Sequence, residues 1–145
     1  VNNSYELAKD YVEEVRNKIQ SEIVLIAFDT NKSAKFLNND LNEYSKFLKT
    51  QKLIRDIDEI HIIDQDKNLL FSNLDNVEKY IPPLDKALKL VLDDDRPLKI
   101  INAPENISAA IMRLQSFENR FLYVVSYVGS VFLFRIMQNW MHDPK

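Results

Sequence analysis

Hydrophobic residues in the first fifty positions recur at spacings of three and four, with charged residues between them. This spacing puts the hydrophobic side chains on one face of a helix. The apolar run at 23–28 is also assigned to helix, because no proline interrupts residues 1–81. A break is expected near 29–33, so residues 1–50 are predicted to form one long helix or two in succession. The apolar positions that carry this prediction are Tyr5, Ala8, Val12, Val15 and Ile19, then Ala34, Leu37, Leu41, Tyr44 and Leu48.

Beyond Ile57 the hydrophobic period changes to two, which is the period of a half-buried strand. The turn-forming residues 64–68 separate two such stretches and predict a hairpin. A short helix follows, because Pro82 and Pro83 are tolerated in a first helical turn and the sequence Asp-Asp-Asp-Arg-Pro at 93–97 ends it. The remaining predicted elements are strands at 98–102, 107–115 and 121–128 and an amphipathic helix at 130–142.

These elements predict an α+β fold. Five mostly antiparallel strands would form one sheet, and the long N-terminal helix or helix pair would pack on it. Residues 1–145 are interpreted as a single domain, since a chain of this length buries about 70% of its unfolded surface in one core. Its parts are a helical segment at 1–50, an α/β core at 57–128 and a C-terminal helix at 130–142.

Composition narrows the classes of function. The formal net charge is −3, and Lys and Arg are scattered among Asp and Glu, which leaves no basic stripe for nucleic acid. The chain has no cysteine for a disulfide or a thiolate metal site. Its single glycine excludes the glycine-rich loops that hold nucleotides. His61 and His142 lie far apart in sequence and are assigned to surface or interfacial positions. No catalytic residue, metal site or cofactor is predicted.

One segment imitates a calcium-binding loop. Asp64, Asp66 and Asn68 occupy loop positions 1, 3 and 5, and Asp75 falls at position 12. Position 6 must be glycine for the sharp turn, and Leu69 stands there instead. The segment is therefore interpreted as a hairpin turn built from Asp and Asn.

Arg113 is the first candidate ligand-binding residue. It continues a period-two row of apolar residues, so its guanidinium group should point to the same face of the sheet as they do. A guanidinium group in that position needs a partner. One interpretation is that it binds the carboxylate or phosphate of a ligand. The alternatives are an ion pair with an internal Asp or Glu, or the exposed end of a strand. The apolar residues of the row are Ile107, Ala109 and Ile111.

Tyr123 and Tyr127 complete the candidate site. They share a strand face with Phe121 and Val125, and their hydroxyl groups are suited to hydrogen-bonding a small polar ligand in an apolar pocket. The alternative is that both are core aromatic residues. The hypothesis is that Arg113, Tyr123 and Tyr127 line one pocket for a small anionic ligand, on a face of the sheet that the sequence does not identify.

Two segments carry a family resemblance, in the residues Phe47, Leu48, Gln51 and Arg55 and in the stretch Phe121-Leu122-Tyr123-Val124. Residues 47–72 and 111–128 are similar to the periplasmic sensor region of NtrY-like nitrogen-regulation histidine kinases, which suggests the extracytoplasmic PAS-like (Cache, or PDC) sensor fold. The chain departs from the family at Ser126, where an Arg is usual, and at residues 129–130, where Asp-Pro is usual. If those residues bind the family's signal, the ligand of this chain differs or is absent.

The resemblance implies a role in a two-component system. The domain would lie in the periplasm, anchored in the bacterial inner membrane, with the C-terminal helix leading to a membrane segment. Two copies would pair through their terminal helices, and a small anionic or amino-acid-like ligand would change that pairing. The kinase and its cognate response regulator would act across the membrane, so this domain is not itself an enzyme. The alternative is a dimerisation or protein-interaction scaffold that binds no ligand.

Overall fold

The structure is a computed structural model that describes residues 2–100 and 107–127. Two helices lead into the sheet: α1 (Asn2–Leu37) and α2 (Leu41–Arg55). The remaining elements are β1 (Glu59–Asp64), β2 (Leu69–Ser72), a 3₁₀ turn (Val77–Lys79), α3 (Asp85–Val91), β3 (Leu98–Ile100), β4 (Ile107–Arg113) and β5 (Arg120–Tyr127). The predicted α+β class, with a helix pair on a five-stranded antiparallel sheet, is confirmed. The predicted C-terminal helix at 130–142 lies outside the described residues.

The break between the first two helices lies later than predicted. α1 runs through 29–33 because the polar residues there are satisfied within the fold: the buried Thr30 hydroxyl donates to the Ile26 carbonyl oxygen at 2.7 Å. The chain turns instead at Asn38 and Asn39, whose φ angles of 49° and 57° lie in the left-handed region that asparagine tolerates. Asp40 then caps α2 by accepting hydrogen bonds from two backbone N–H groups.

The prolines also lie outside the helix that they were predicted to open. α3 begins at Asp85, after an extended Leu84. Because a residue that precedes proline is disfavoured in the helical region, Pro82 and Pro83 hold the chain before them extended. The tandem prolines therefore form part of a connector, residues 79–84, that crosses the sheet before α3 starts.

The sheet has the strand order β2-β1-β5-β4-β3, and every neighbouring pair is antiparallel. β5 is central, with Leu122 opposite Ile62 of β1 and Tyr123 opposite Ile111 of β4. Each strand alternates its side chains between two faces. Both faces of β5 are covered, so six of its eight residues are buried.

Helices α1 and α2 cover one face of the sheet, which we call the α1 face. Its core is apolar and includes the following buried residues: Ile19, Ile23, Ile26, Tyr44, Leu48, Ile60, Ile62, Ala110, Leu122 and Val124. The opposite face, called the α3 face, is covered by α3 and the connector. A smaller cluster lies there, with Leu88 and Val91 of α3 packed on Ala109, Ile111, Phe121, Tyr123 and Val125. Arg113, Tyr123 and Tyr127 belong to strand rows on the α3 face.

Within residues 2–100 and 107–127, no helix combines the length and the apolar character needed to cross a bilayer.

Candidate functional site

A cavity of about 220 Å³ lies on the α3 face between the sheet and the connector. Strands β1, β4 and β5 form one side of it, and the connector forms the other. The connector is fixed at one end by Tyr80, whose hydroxyl group donates to the Lys67 carbonyl oxygen at 2.8 Å. The walls are mainly apolar and include one carboxylate and one lysine. The lining residues are Glu59, Lys79, Ile81, Pro82, Pro83, Leu84, Ile100, Ile107, Ala109, Tyr123 and Val125.

Glu59 is the acidic residue of the cavity wall. It lies in β1 with only 8% of its surface exposed. Its Oε1 atom lies 2.9 Å from Nε2 of His61, and its Oε2 atom accepts a hydrogen bond from the Tyr127 hydroxyl group. Burial of a carboxylate is costly unless donors satisfy it, and these two donors hold the side chain in place.

His61 is fully buried behind Glu59, so its predicted surface position is wrong. Its Nδ1 atom lies 2.9 Å from the Ser72 hydroxyl oxygen, which also accepts a hydrogen bond from the Leu74 backbone N–H. The ring packs against Tyr80 and Tyr123, with centroid distances of 5.1 and 5.9 Å. Burial is tolerated because both ring nitrogens have partners and the ring has aromatic neighbours.

Tyr123 lines the cavity directly. Burial raises the pKa of its hydroxyl group to about 12, and the nearby charge of Glu59 adds to the increase. The hydroxyl group therefore keeps its proton throughout the physiological pH range and remains a hydrogen-bond donor.

Tyr127 reaches the site through Glu59 and does not line the cavity. Its hydroxyl group donates to Glu59, and its backbone N–H donates to Oδ2 of Asp58 at 2.6 Å. The neighbouring carboxylates of Asp58 and Glu59 thus hold the end of β5.

Arg113 lies away from the other two candidates. In the antiparallel pair it stands opposite Phe121, whereas Tyr127 stands opposite Ile107. Six residues of strand separate these positions, roughly 20 Å at the usual rise per residue. Arg113 forms an ion pair with Asp95, and 34% of its side chain is exposed. The geometry matches the alternative of an internal acidic partner, and a ligand-binding role for Arg113 stays a prediction.

The sequence did not point to Glu59 or His61. The hydrophobic period of two beyond Ile57 predicted a half-buried strand, and that interpretation assigned the alternate side chains of β1 to the outside. β1 is covered on both faces, so the alternate row is buried as well. The second face of β1 is buried because the connector covers it. The connector lies further along the chain, so the hydrophobic period of β1 itself could not predict this burial.

A second, more polar depression of about 350 Å³ lies between α1 and the ends of β1 and β5. Asp56, Asp58, Ser126 and Tyr127 line it together with the acidic and basic side chains of Glu14 and Lys18. Burial raises the pKa of Asp58, and the charges of Asp56 and Glu59 add to the increase while Lys52 opposes it. Among the described residues, no group of three or more His, Cys, Asp or Glu side chains is arranged to hold a metal ion.

The hairpin turn is built as predicted. Oδ1 of Asp64 accepts hydrogen bonds from the backbone N–H groups of Asp66 and Asn68, both at 2.9 Å. Burial opposes ionisation of Asp64, yet the hydrogen bonds from Asn68 and Asp66 leave its pKa below the usual value. The carboxylate that would begin a calcium loop is thus occupied in closing the turn.

Comparison with known proteins gives a match that spans most of the chain. A family model described as the NtrY N-terminal region matches residues 1–137. The matched range contains both helices of the α1 face, the connector and all five strands. No curated protein matches the chain.

Proposed function

The chain belongs to the NtrY N-terminal region family, and on that premise we propose that it senses a small molecule bound in the cavity of the α3 face. Membership makes it the sensor domain of a membrane sensor kinase, in a membrane protein whose sensor domain is periplasmic. A sensor region of this kind is not a catalytic domain. The resemblance found in the sequence is therefore confirmed, whereas the PAS-like (Cache) classification stays a prediction.

The observation that carries the proposal is a carboxylate in an apolar cavity. The cavity of the α3 face is about 220 Å³, and Glu59 and Tyr123 place polar groups in walls that are otherwise mostly aliphatic. Apolar walls with a few fixed polar groups are typical of sites for small molecules.

The output of the domain is proposed to be a change in helix packing. A ligand shifts a conformational equilibrium only if it binds one conformation more tightly than the other. Contact with Glu59 reaches the end of β5 through Tyr127, and α1 packs on the other face of the same strand. Rearranged terminal helices would carry the signal to the kinase and its response regulator. Pairing of two copies through those helices stays a prediction.

A thermal-shift screen of small metabolites on the purified domain, with native mass spectrometry of the same preparation, tests the proposal. At least one compound should raise the melting temperature, since a ligand at a hundred times its Kd stabilises a protein by about 2.7 kcal/mol. Ala109→Leu places a larger side chain in the cavity wall and should abolish the shift. Arg113→Ala, which alters the opposite end of β4, should preserve it.

Two results would contradict the proposal. A shift that survives in Ala109→Leu and disappears in Arg113→Ala would move the site to Arg113, as the sequence-based hypothesis has it. If no compound stabilises the parent domain and none co-purifies with it, the ligand-free scaffold becomes the better account of the domain.

A further inference from the structure

We infer that the ligand of the cavity is a small amine with an apolar body, whose ammonium group binds the Glu59 carboxylate. The inference rests on the proposed function, because it names the chemistry of the molecule that the cavity would hold. It follows from the unused acceptor capacity of Glu59, from the charge of its surroundings and from the walls.

Glu59 has acceptor capacity to spare. An ionised carboxylate offers about four lone-pair sites. The structure supplies one donor for each oxygen, with His61 at Oε1 and the Tyr127 hydroxyl group at Oε2. About two sites therefore remain on a carboxylate that forms part of the cavity wall. A primary ammonium group carries three N–H donors and can use both.

The donors around Glu59 need not bring a positive charge. The Ser72 oxygen accepts the N–H of Leu74, so its own hydrogen is available to Nδ1 of His61. The remaining ring hydrogen then lies on Nε2 and points to Glu59, and a neutral imidazole satisfies every contact. Within residues 2–100 and 107–127, no lysine or arginine forms an ion pair with Glu59. A cationic partner stabilises a buried carboxylate, and the ammonium group of a ligand would supply one.

The cavity walls indicate the size and the apolar character of the rest of the ligand. Aliphatic side chains of the connector and of β4 and β5 line the cavity together with the carboxylate, among them Ile81, Leu84 and Val125. A volume of about 220 Å³ is below the usual range for drug-sized ligands, so the occupant is small. A simple anion would place its charge against Glu59, whereas a zwitterion has Lys79 of the same wall available for its carboxylate.

The test compares three compounds of similar branched skeleton on the whole domain, by thermal shift and titration calorimetry. They are isoamylamine, leucine and 4-methylpentanoate, of which the last lacks an amine. Leucine, isoamylamine or both should raise the melting temperature of the parent, and 4-methylpentanoate should not. Glu59→Gln keeps the side-chain shape but removes its charge, and it should weaken amine binding at least about tenfold. The matched control Glu78→Gln changes an exposed acid beside the connector and should leave binding unchanged.

The outcomes separate the inference from the function on which it rests. Binding of 4-methylpentanoate as tight as that of the amines would overturn the inference, and this comparison needs only the parent domain. Unchanged amine binding in a folded Glu59→Gln variant would overturn it as well. In both cases the cavity still binds a ligand, so the sensing function survives. Failure of the sensing function shows instead as an absence of binding by every class of compound in the metabolite screen.

Discussion

The two faces of the sheet differ in how they treat polar side chains. On the α1 face the strand rows are mainly apolar, and their buried polar residues are the small Ser108 and Ser126. Where α1 meets α2, Asp29 accepts hydrogen bonds from Gln51 and Arg55 at 3.1 Å. On the α3 face a polar row of β1, with Glu59 and His61, is buried under the connector. The α1 face therefore joins helices to the sheet, and the α3 face encloses polar groups beside a cavity.

Stability and binding are therefore located on different faces of the sheet. A close-packed apolar face loses stability when any methyl group is removed, because the surroundings collapse only in part. A face with a cavity and a connector can adjust to small changes, and it retains groups whose hydrogen bonds a ligand can alter. Because the side chains of β5 alternate across the sheet, substitutions of neighbouring residues measure the packing of the two faces separately.

The largest expected effect separates Val124 from Val125, which lie next to each other in β5 on opposite faces. Val124→Ala should cost about 2 to 3 kcal/mol in the free energy of unfolding, because it removes two methyl groups from the closed core. Val125→Ala enlarges an existing cavity and should cost about 1 kcal/mol less. Urea denaturation of both variants measures the difference. Equal losses would mean that the two faces are packed equally well.

Ser72→Ala tests the polar network of the α3 face. The substitution leaves Nδ1 of His61 and the N–H of Leu74 without their partner, so it should cost roughly 1 to 2 kcal/mol, as expected for buried polar groups left unsatisfied. Ser116→Ala is the control, since Ser116 is exposed and should change stability by less than about 0.5 kcal/mol. A Ser72→Ala variant as stable as this control would mean that the hydrogen bonds of Ser72 do not stabilise the α3 face.

Tyr44→Phe provides the counterpart on the α1 face. The Tyr44 hydroxyl group is buried without a hydrogen-bond partner, while its ring stacks on Phe71 at a centroid distance of 3.9 Å. Removing the hydroxyl group ends its desolvation cost and keeps the ring, so the variant should be as stable as the parent or more stable by up to about 1 kcal/mol. Urea denaturation at neutral pH measures this, and a clear loss of stability would reveal a polar role for the group.

The last comparison is a pH dependence at the cavity. The pKa of Tyr123 is raised from 10.0 to about 12, first by burial and then by the charge of Glu59. A raised folded-state pKa contributes stability that is complete below pH 10 and is lost as the pH rises through about 12. Tyr123→Phe should therefore lose less stability than the parent between pH 9 and pH 12, which denaturation at several alkaline pH values measures. Parallel curves would exclude this contribution.

Local patterns predicted much of the fold. The spacing of three and four from Tyr5 to Ile19 marked α1, and the change to period two marked the strands, because each period follows from backbone geometry alone. The turn at Asp64 was predicted from residues that close it by their own hydrogen bonds. The helix break was misplaced, since Thr30 and Asp29 looked like a break in sequence and have partners only in the folded chain.

The candidate site was predicted only in part, because a site joins residues that lie far apart in the chain. The strand period alone places Tyr123 and Tyr127 on one face with apolar neighbours. It took the folded chain to show that this is the α3 face, that Glu59 lies between the cavity and Tyr127, and that Arg113 pairs with Asp95. Strand period fixes which side chains share a face, whereas register and the path of the connector fix which of them meet. Those depend on packing across the whole domain.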